Sequence, residues 1–304
     1  MLGTWTPSGA NQPRAPRLSF TVDHRHKFSE IPPSGMSGQI GYAGSSSVIM
    51  GDTGWDLVSL FWNQPFKSCD GLCGFAAGRL DPNEFLYVYS FSNPWAGFMN
   101  NEVVNVTALP QPQSSWGVVS GSYFTDTVYG IVSVSDANGT ADDNLEWFED
   151  GNELFSAIEV GWVPYRETRL DKKASLTFWH VDERETKGID SGRGLNLSAS
   201  WLFGDWNPFM RIGWSEGEAP TYNENVLGGF RKRMRNGADW LGMAYSWGNS
   251  AKDLGIQTST ELFYSYYLAR DLALTVDYQY IKNPLNNPKH DSVSLVALRL
   301  RMTF

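Results

Sequence analysis

The final stretch of the chain, residues 291–304, alternates without a break. Val296, Leu298, Leu300, Met302 and Phe304 share one parity, and Ala297, Arg299, Arg301 and Thr303 share the other. Successive side chains of a β-strand point to opposite faces, so this is a ribbon with one apolar side and one side carrying two guanidiniums. A soluble sandwich accommodates the pattern with its arginines in water. A membrane barrel accommodates it with the apolar side toward lipid and the charged side toward a wet lumen. One strand does not separate the two; repetition does.

The second half of the chain repeats it. Ile158, Val160 and Trp162 alternate with Glu159 and Gly161, and Leu195, Leu197, Ala199 and Trp201 with Asn196, Ser198 and Ser200. Met210, Ile212 and Trp214 alternate with Arg211 and Gly213; Leu262, Tyr264 and Tyr266 with Glu261, Phe263 and Ser265. Leu274, Val276, Tyr278 and Tyr280 alternate with Thr275, Asp277 and Gln279. The polar parity is mostly small or ionisable, and the aromatics gather toward the ends of each apolar run, where membrane barrels carry their girdles. Runs of about nine to eleven residues suit a tilted crossing, and no apolar run of about 18 residues exists for a helical one. Closure of strands into a barrel satisfies the backbone without such a run. With 30 Gly and 15 Pro as punctuation, the reading is all-β: a transmembrane antiparallel barrel forming one domain over residues 1–304. Alternation alone supports about thirteen or fourteen strands.

Earlier parts of the chain are less regular. Residues 1–16 read as loop and residues 17–27 as a strand. The Gly- and Ser-rich residues 29–54 read as an inward-folded or extracellular loop, with a short strand at 46–50. Residues 85–101 are dense in aromatics and broken by Pro94 and Gly97, so they either cross the interior or sit at its rim. An acidic loop follows at 137–151, where Asp142, Asp143, Glu146, Glu149 and Asp150 match no calcium-ligand pattern. The basic run Arg231, Lys232, Arg233, Arg235 reads as a loop.

Cys69 and Cys73 frame Asp70-Gly71, a turn signal, so the thiols meet across a hairpin tip. A disulfide there fits an oxidising compartment, and the pair lacks the further ligands of a zinc site. His24 and His26 lack a third ligand, so no metal or other cofactor is expected. A net charge of −9 argues against nucleic acid, whose binders carry a basic face. Residues 1–7 have neither the basic nor the apolar region of a signal peptide. His180 lies on an apolar parity and no G-x-S-x-G or comparable motif is present, which speaks against an enzyme.

Several segments, in order, resemble the carbohydrate-selective porins of the OprB family: Gly78-Arg79-Leu80-Asp81, Ser115-Trp116-Gly117-Val118, and residues 132–139. Residues 261–267 (E-L-F-Y-S-Y-Y) and 274–284 (L-T-V-D-Y-Q-Y-I-K-N-P) follow, and the L-R-L-R strand ends at Phe304. The resemblance runs from about residue 55 to the end; residues 1–54 match poorly. It implies a barrel of about sixteen strands, lacking or altering one or two at the N-terminus, in the bacterial outer membrane. It also implies passive diffusion of carbohydrates, contact with outer-membrane lipid and lipopolysaccharide, and a monomer or homotrimer. The terminal aromatic Phe304 resembles the signal read by the barrel assembly machinery.

A sugar pore needs wet groups that bind hydroxyls weakly enough to release them. Strand parity selects Glu159, Arg211, Glu261, Asp277, Gln279, Arg299 and Arg301 as pore-lining candidates, since guanidiniums donate and carboxylates accept. Arg79 joins them through the family resemblance. Phe263, Trp179 and Trp240 fall on the same parity as possible stacking faces. A general or anion-preferring porin shares this architecture, and a secreted soluble carbohydrate-binding β-protein is the alternative without a membrane.

Overall fold

The computed structural model describes residues 2–6, 15–110, 112–140, 148 and 151–304. Fifteen strands form one sheet in which each pairs antiparallel with its neighbours in the chain. They are β1 (Leu2–Trp5), β2 (Arg17–Arg25), β3 (Gly54–Pro65), β4 (Cys73–Leu80), β5 (Ser115–Tyr123), β6 (Val128–Asp136), β7 (Leu154–Trp162) and β8 (Lys172–Val181). The sheet continues with β9 (Gly192–Trp201), β10 (Trp206–Glu216), β11 (Tyr222–Met234), β12 (Asp239–Ser250), β13 (Ile256–Ala269), β14 (Leu272–Lys282) and β15 (Ser292–Met302). Two short helices, α1 (Met36–Ile40) and α2 (Asn101–Val104), lie in the connections.

The connections sort by length. Short turns join β3–β4, β5–β6, β9–β10, β11–β12 and β13–β14 at one end, with a longer one between β7 and β8. The long connections, 26–53 and 81–114 above all, lie at the other. We call these the turn end and the loop end. Long loops on one side and tight turns on the other are the asymmetry of outer-membrane barrels.

Alternation is realised strand by strand. On β10, Asn207, Phe209, Arg211 and Ser215 are buried while Met210, Ile212 and Trp214 are exposed. On β14, Ala273, Thr275, Asp277, Gln279 and Ile281 are buried while Val276, Tyr278 and Tyr280 are exposed. An aromatic band marks the outer turn end, where Trp162 stacks on Trp201 with centroids 5.7 Å apart and Trp206 meets Phe230 at 5.1 Å. The ammonium of Lys232 lies 4.5 Å from the Trp206 ring centre. Apolar bodies with polar tips at this level are what a membrane interface favours.

One interior segment shows that the sheet is rolled. Residues from Leu86 to Leu109 are largely buried, and they bond to side chains of β7 and of β15. In a flat sheet those strands would lie eight spacings, or about 38 Å, apart. The strands wrap around the segment, with β1 and β15 as the sheet's two edges. The free edge explains why Val296 and Leu298 on β15 are 77% and 71% exposed, whereas Val276 on β14 is 49% exposed.

Four local expectations change. Leu2–Trp5, read as loop, pairs with Leu18–Thr21 along the edge of β2. The basic run is no loop: β11 continues through Met234, with Arg231 and Arg233 facing inward and Lys232 outward. Residues 46–50 form no strand, because their backbone is used by the interior: Val48 N donates to Met99 O at 3.2 Å and Ser46 O accepts from Gln279 Nε2 at 2.8 Å. The strand count is fifteen among the described residues. The acidic residues Asp142, Asp143, Glu146, Glu149 and Asp150 lie outside the described residues.

Cys69 and Cys73 are joined in a disulfide at the β3–β4 turn, with their Cα atoms 5.9 Å apart. Asp70 and Gly71 between them take φ of 52° and 68°. Glycine adopts this left-handed conformation freely and Asp tolerates it, which is why that pair lets the chain reverse in so few residues.

Candidate solute pathway and the inward segment

The interior is organised by the β4–β5 connection. Pro82 opens it in a 3-10 turn capped by Asp81, whose side chain accepts from Asn83 N at 2.9 Å. Beyond it the aromatic run has no alternating pattern, so it offers no strand face and instead buries Tyr87, Tyr89, Phe91 and Phe98 while Trp95 stays exposed. Phe91 stacks on Phe209 with centroids 4.0 Å apart, and Phe98 meets Phe263 edge-on at 4.7 Å. Tyr89, Val103, Val106, Leu109, Phe155 and Trp179 belong to the same cluster. Phe263 and Trp179 thus serve as walls for the inward segment.

The polar wall residues hold the segment's backbone. Glu159 accepts from Tyr87 N at 2.5 Å, Tyr129 Oη at 2.6 Å and Thr177 Oγ1 at 3.2 Å, with Lys173 Nζ 3.5 Å away. Arg211 donates to the carbonyls of Val103 and Asn105 and to Ser92 Oγ. Glu261 accepts from Met99 N at 2.7 Å and Asn100 N at 3.3 Å. Gln279 accepts from Asn100 Nδ2 at 2.9 Å and donates to Asp277 at 3.1 Å. Arg299 donates to the carbonyls of Pro94 at 2.5 Å and Gly97 at 2.7 Å. A segment without regular ladders has orphan amides and carbonyls, and buried ones must find partners. Here the barrel wall supplies them.

The second long connection packs on the first. Tyr42 Oη donates to Asn100 Oδ1 at 2.6 Å, and Asn101 N donates to Ser45 O at 2.8 Å. Gly41, with φ of 76°, brings its backbone against Asn286 and Asn287 of the β14–β15 connection, where a Cβ would lie 2.2 Å from that of Asn287. Glu102 of α2 is buried and accepts from Tyr222 Oη, Gln257 Nε2 and Ser259 Oγ at 2.5, 3.1 and 2.7 Å.

Two candidates sit differently. Arg79 has the parity of Phe75 and Ala77, opposite the inner cluster of Ala76, Leu80, Phe61 and Val119. It is buried at the loop end, donating to Leu57 O and Thr140 O at 2.8 Å each. The resemblance implies a pore-side position for Arg79; in the strand register it pairs with Leu60 while the adjacent Gly78 pairs with inward Phe61, and its side chain is fully buried. Arg301 lies on the inner face at the turn end, half-buried, and donates to Tyr267 Oη at 2.9 Å. His180 faces outward, 3.2 Å from Asp182.

Several interior residues are absent from the set that the sequence singles out. Lys173 sits 4.2 Å from the Tyr89 ring centre beside Glu159. Arg231 donates to Ser90 O and Oγ at 2.7 and 2.5 Å and to Asn207 Oδ1 at 2.9 Å. Both lie on the inner parity of their strands, which was the available clue. Asn100 and Ser90 lie in the aperiodic segment, where no clue exists. At its entrance, burial and the neighbouring Asp81 push Glu84 up to about 7.

The comparisons bear on the architecture. Residues 190–304 match the family described as carbohydrate-selective porin, OprB family. The high-pH structure of Pseudomonas putida OprB superposes with a TM-score of 0.76 at 15% identity, covering 96% of this chain and 83% of that one. The outer membrane channel DcaP of Acinetobacter baumannii matches with a TM-score of 0.54 at 12% identity, over 98% of this chain and 82% of that one. A triple mutant of the Rhodopseudomonas blastica porin gives 0.53 at 13% identity, over 100% and 88%. No curated protein sequence matches the chain. The chain therefore has the porin fold, and its strands from β9 to β15 carry the sequence pattern of the carbohydrate-selective porins of the OprB family.

Proposed function

We propose that this protein is an outer-membrane porin that passes carbohydrates by passive diffusion through a lumen narrowed by residues 85–109. The observation that carries this reading is the inner wall of β7–β15, whose ionisable side chains clamp an inward segment instead of forming a dry core of their own. Such a wall keeps a polar lining around a constriction, and the outer face, apolar with an aromatic band, fits lipid. Arg301, partly open to solvent, is the residue we place closest to passing solute, while the buried Glu261, Asp277, Gln279 and Arg299, with Glu159 and Arg211, set the constriction by holding the segment. No catalytic step is needed. In this reading the outer face meets phospholipid and lipopolysaccharide, Phe304 contacts the assembly machinery, and the protein works as a monomer or homotrimer.

Single-channel conductance in planar bilayers, with glucose, maltose and succinate titrated in turn, tests the proposal. Concentration-dependent block by a sugar and not by succinate is the expected result. Channels indifferent to every sugar would reduce the protein to a general porin, and folded protein that forms no channels would overturn the reading.

A further inference from the structure

The turn end of the lumen carries two arginines, Arg233 and Arg301, beside Arg231, which the inward segment uses through Ser90. On β11, Arg231 and Arg233 face inward in succession; on β12, Trp240 lies directly opposite Arg233. The guanidinium carbons of Arg231 and Arg233 lie 4.8 and 5.2 Å from the Trp240 ring centre. Across the sheet, Trp240 is in register with Ser265, Ser265 with Thr275, and Thr275 with Arg299. One row nearer the turns, Tyr267 faces Ala273 and Ala273 faces Arg301. Arg233, Trp240, Tyr267 and Arg301 are all partly open to solvent. They form a basic and aromatic arc along the inner wall from β11 to β15, with Arg233 and Trp240 in the row of Arg299, Tyr267 and Arg301 one row nearer the turns, and all of them nearer the turns than Glu261.

The acids near this arc are committed elsewhere. Asp171 accepts from Ser90 Oγ and lies 3.7 Å from Arg231. Asp239 is held by Arg235 and accepts from Tyr264 Oη at 2.7 Å and Tyr267 N at 2.9 Å. Arg233 and Arg301 have no carboxylate partner among the described residues. In a chain of net charge −9, two arginines facing a lumen without an acid to neutralise them mark a place where negative charge is welcome. An arginine held against an aromatic ring keeps its in-plane N–H donors free, and those donors match a carboxylate two at a time.

We infer that this arc is a binding site for an acidic monosaccharide, with Arg233 and Arg301 taking the carboxylate and Trp240 and Tyr267 flanking the ring. The inference rests on the carbohydrate-porin reading and deepens it by naming a charged substrate class. A neutral sugar gains from the arc only hydroxyl contacts, whereas an acidic one gains charge-assisted bonds of roughly twice the strength.

The test uses the full chain in planar bilayers at about 0.1 M salt, where the Debye length is about 10 Å, with glucuronate and glucose as paired probes. We expect glucuronate to block current at about one-tenth the concentration that glucose requires. The double substitution Arg233→Gln with Arg301→Gln should abolish that difference, so that in the variant glucuronate and glucose block at the same concentration. Equal block by the two sugars in the unsubstituted protein would overturn the proposal, as would a preference that survives both substitutions. Calorimetric titration of glucuronate into the protein in detergent micelles separates this outcome from failure of the porin reading. Binding heat that vanishes in the double variant supports the arc even if no sugar affects the current, and no binding heat in the unsubstituted protein sinks it.

Discussion

Arg299 on the last strand donates from Nη2 to the carbonyl of Gly97 at 2.7 Å, across a separation of 202 residues. Its Nη1 holds Pro94 O, so one guanidinium fastens the tip of the inward segment to the sheet edge farthest from it in the chain. The planar fork suits two carbonyls at once.

Arg299→Ala should therefore act first on the constriction. Two buried carbonyls would lose their donors, costing on the order of 2 kcal/mol, and the tip of the segment would loosen from the wall. We expect single-channel conductance to rise and current noise to increase while the barrel still resists unfolding in detergent. Unaltered conductance would show that the Phe98–Phe263 contact and the Glu261 and Gln279 bonds to Met99 and Asn100 hold the tip without Arg299.

Glu159 and Lys173 form a second anchor, on the opposite side of the segment. Both are almost fully buried, 3.5 Å apart, and Glu159 also holds the amide of Tyr87. Glu159→Gln leaves the ammonium without its counter-charge. Breaking one side of a buried pair typically costs about 3 kcal/mol or more. The unfolding temperature should fall clearly in the single variant, and combining it with Lys173→Met should recover much of the loss. A double variant as unstable as the single one would mean that the hydrogen bonds from Tyr87 and Tyr129, and not the charge, are what matter.

The disulfide should matter far less to conduction. Cys69–Cys73 closes a loop of sequence separation 4 at the turn end. Closing so short a loop contributes about 2 kcal/mol in the chain-entropy account. Reduction is expected to lower the unfolding temperature by a few degrees and to leave conductance and sugar block as they were. A changed conductance after reduction would place the β3–β4 turn within the solute path.

These contrasts follow what the sequence made legible. The wall was readable because an apolar outer face and a polar inner face impose a period of two, and Glu159, Arg211, Glu261, Asp277, Gln279 and Arg299 all lie on the inner parity that alternation assigns them. Arg79 was chosen on a motif and not on alternation, because β4 is the less clearly sided strand, and its side chain is buried at the loop end. Residues 231–235 were misread because the turn end of β11 carries charge on both faces, Arg231 and Arg233 inward and Lys232 outward, which erases the contrast that marks a strand. The inward segment has no ladder and no period; its partners lie on strands far away in sequence, and only folding brings Gly97 to Arg299 or Tyr87 to Glu159. For the same reason the wall arginines, chosen as solute contacts, are in large part loop anchors.

The entrance to the inward segment should respond to pH. Burial, and secondarily Asp81, push Glu84 up to about 7, above the range of an ordinary glutamate near 4.3. The docked segment thus favours the neutral carboxyl. Its contribution to docking is fully present below about pH 4.3 and is lost as pH rises toward 7, where ionisation sets a second charge beside Asp81. Glu84 has an exposed surface even though neighbouring groups crowd its carboxyl, so the effect is local and does not unfold the barrel. Hydrogen exchange of residues 85–88, corrected for the intrinsic pH dependence of exchange, should show protection falling between pH 5 and pH 8. Glu84→Gln, which stays neutral, should keep the low-pH protection throughout. If the unsubstituted protein and Glu84→Gln lose protection in parallel, the pH response belongs to another group and Glu84 does not control the entrance.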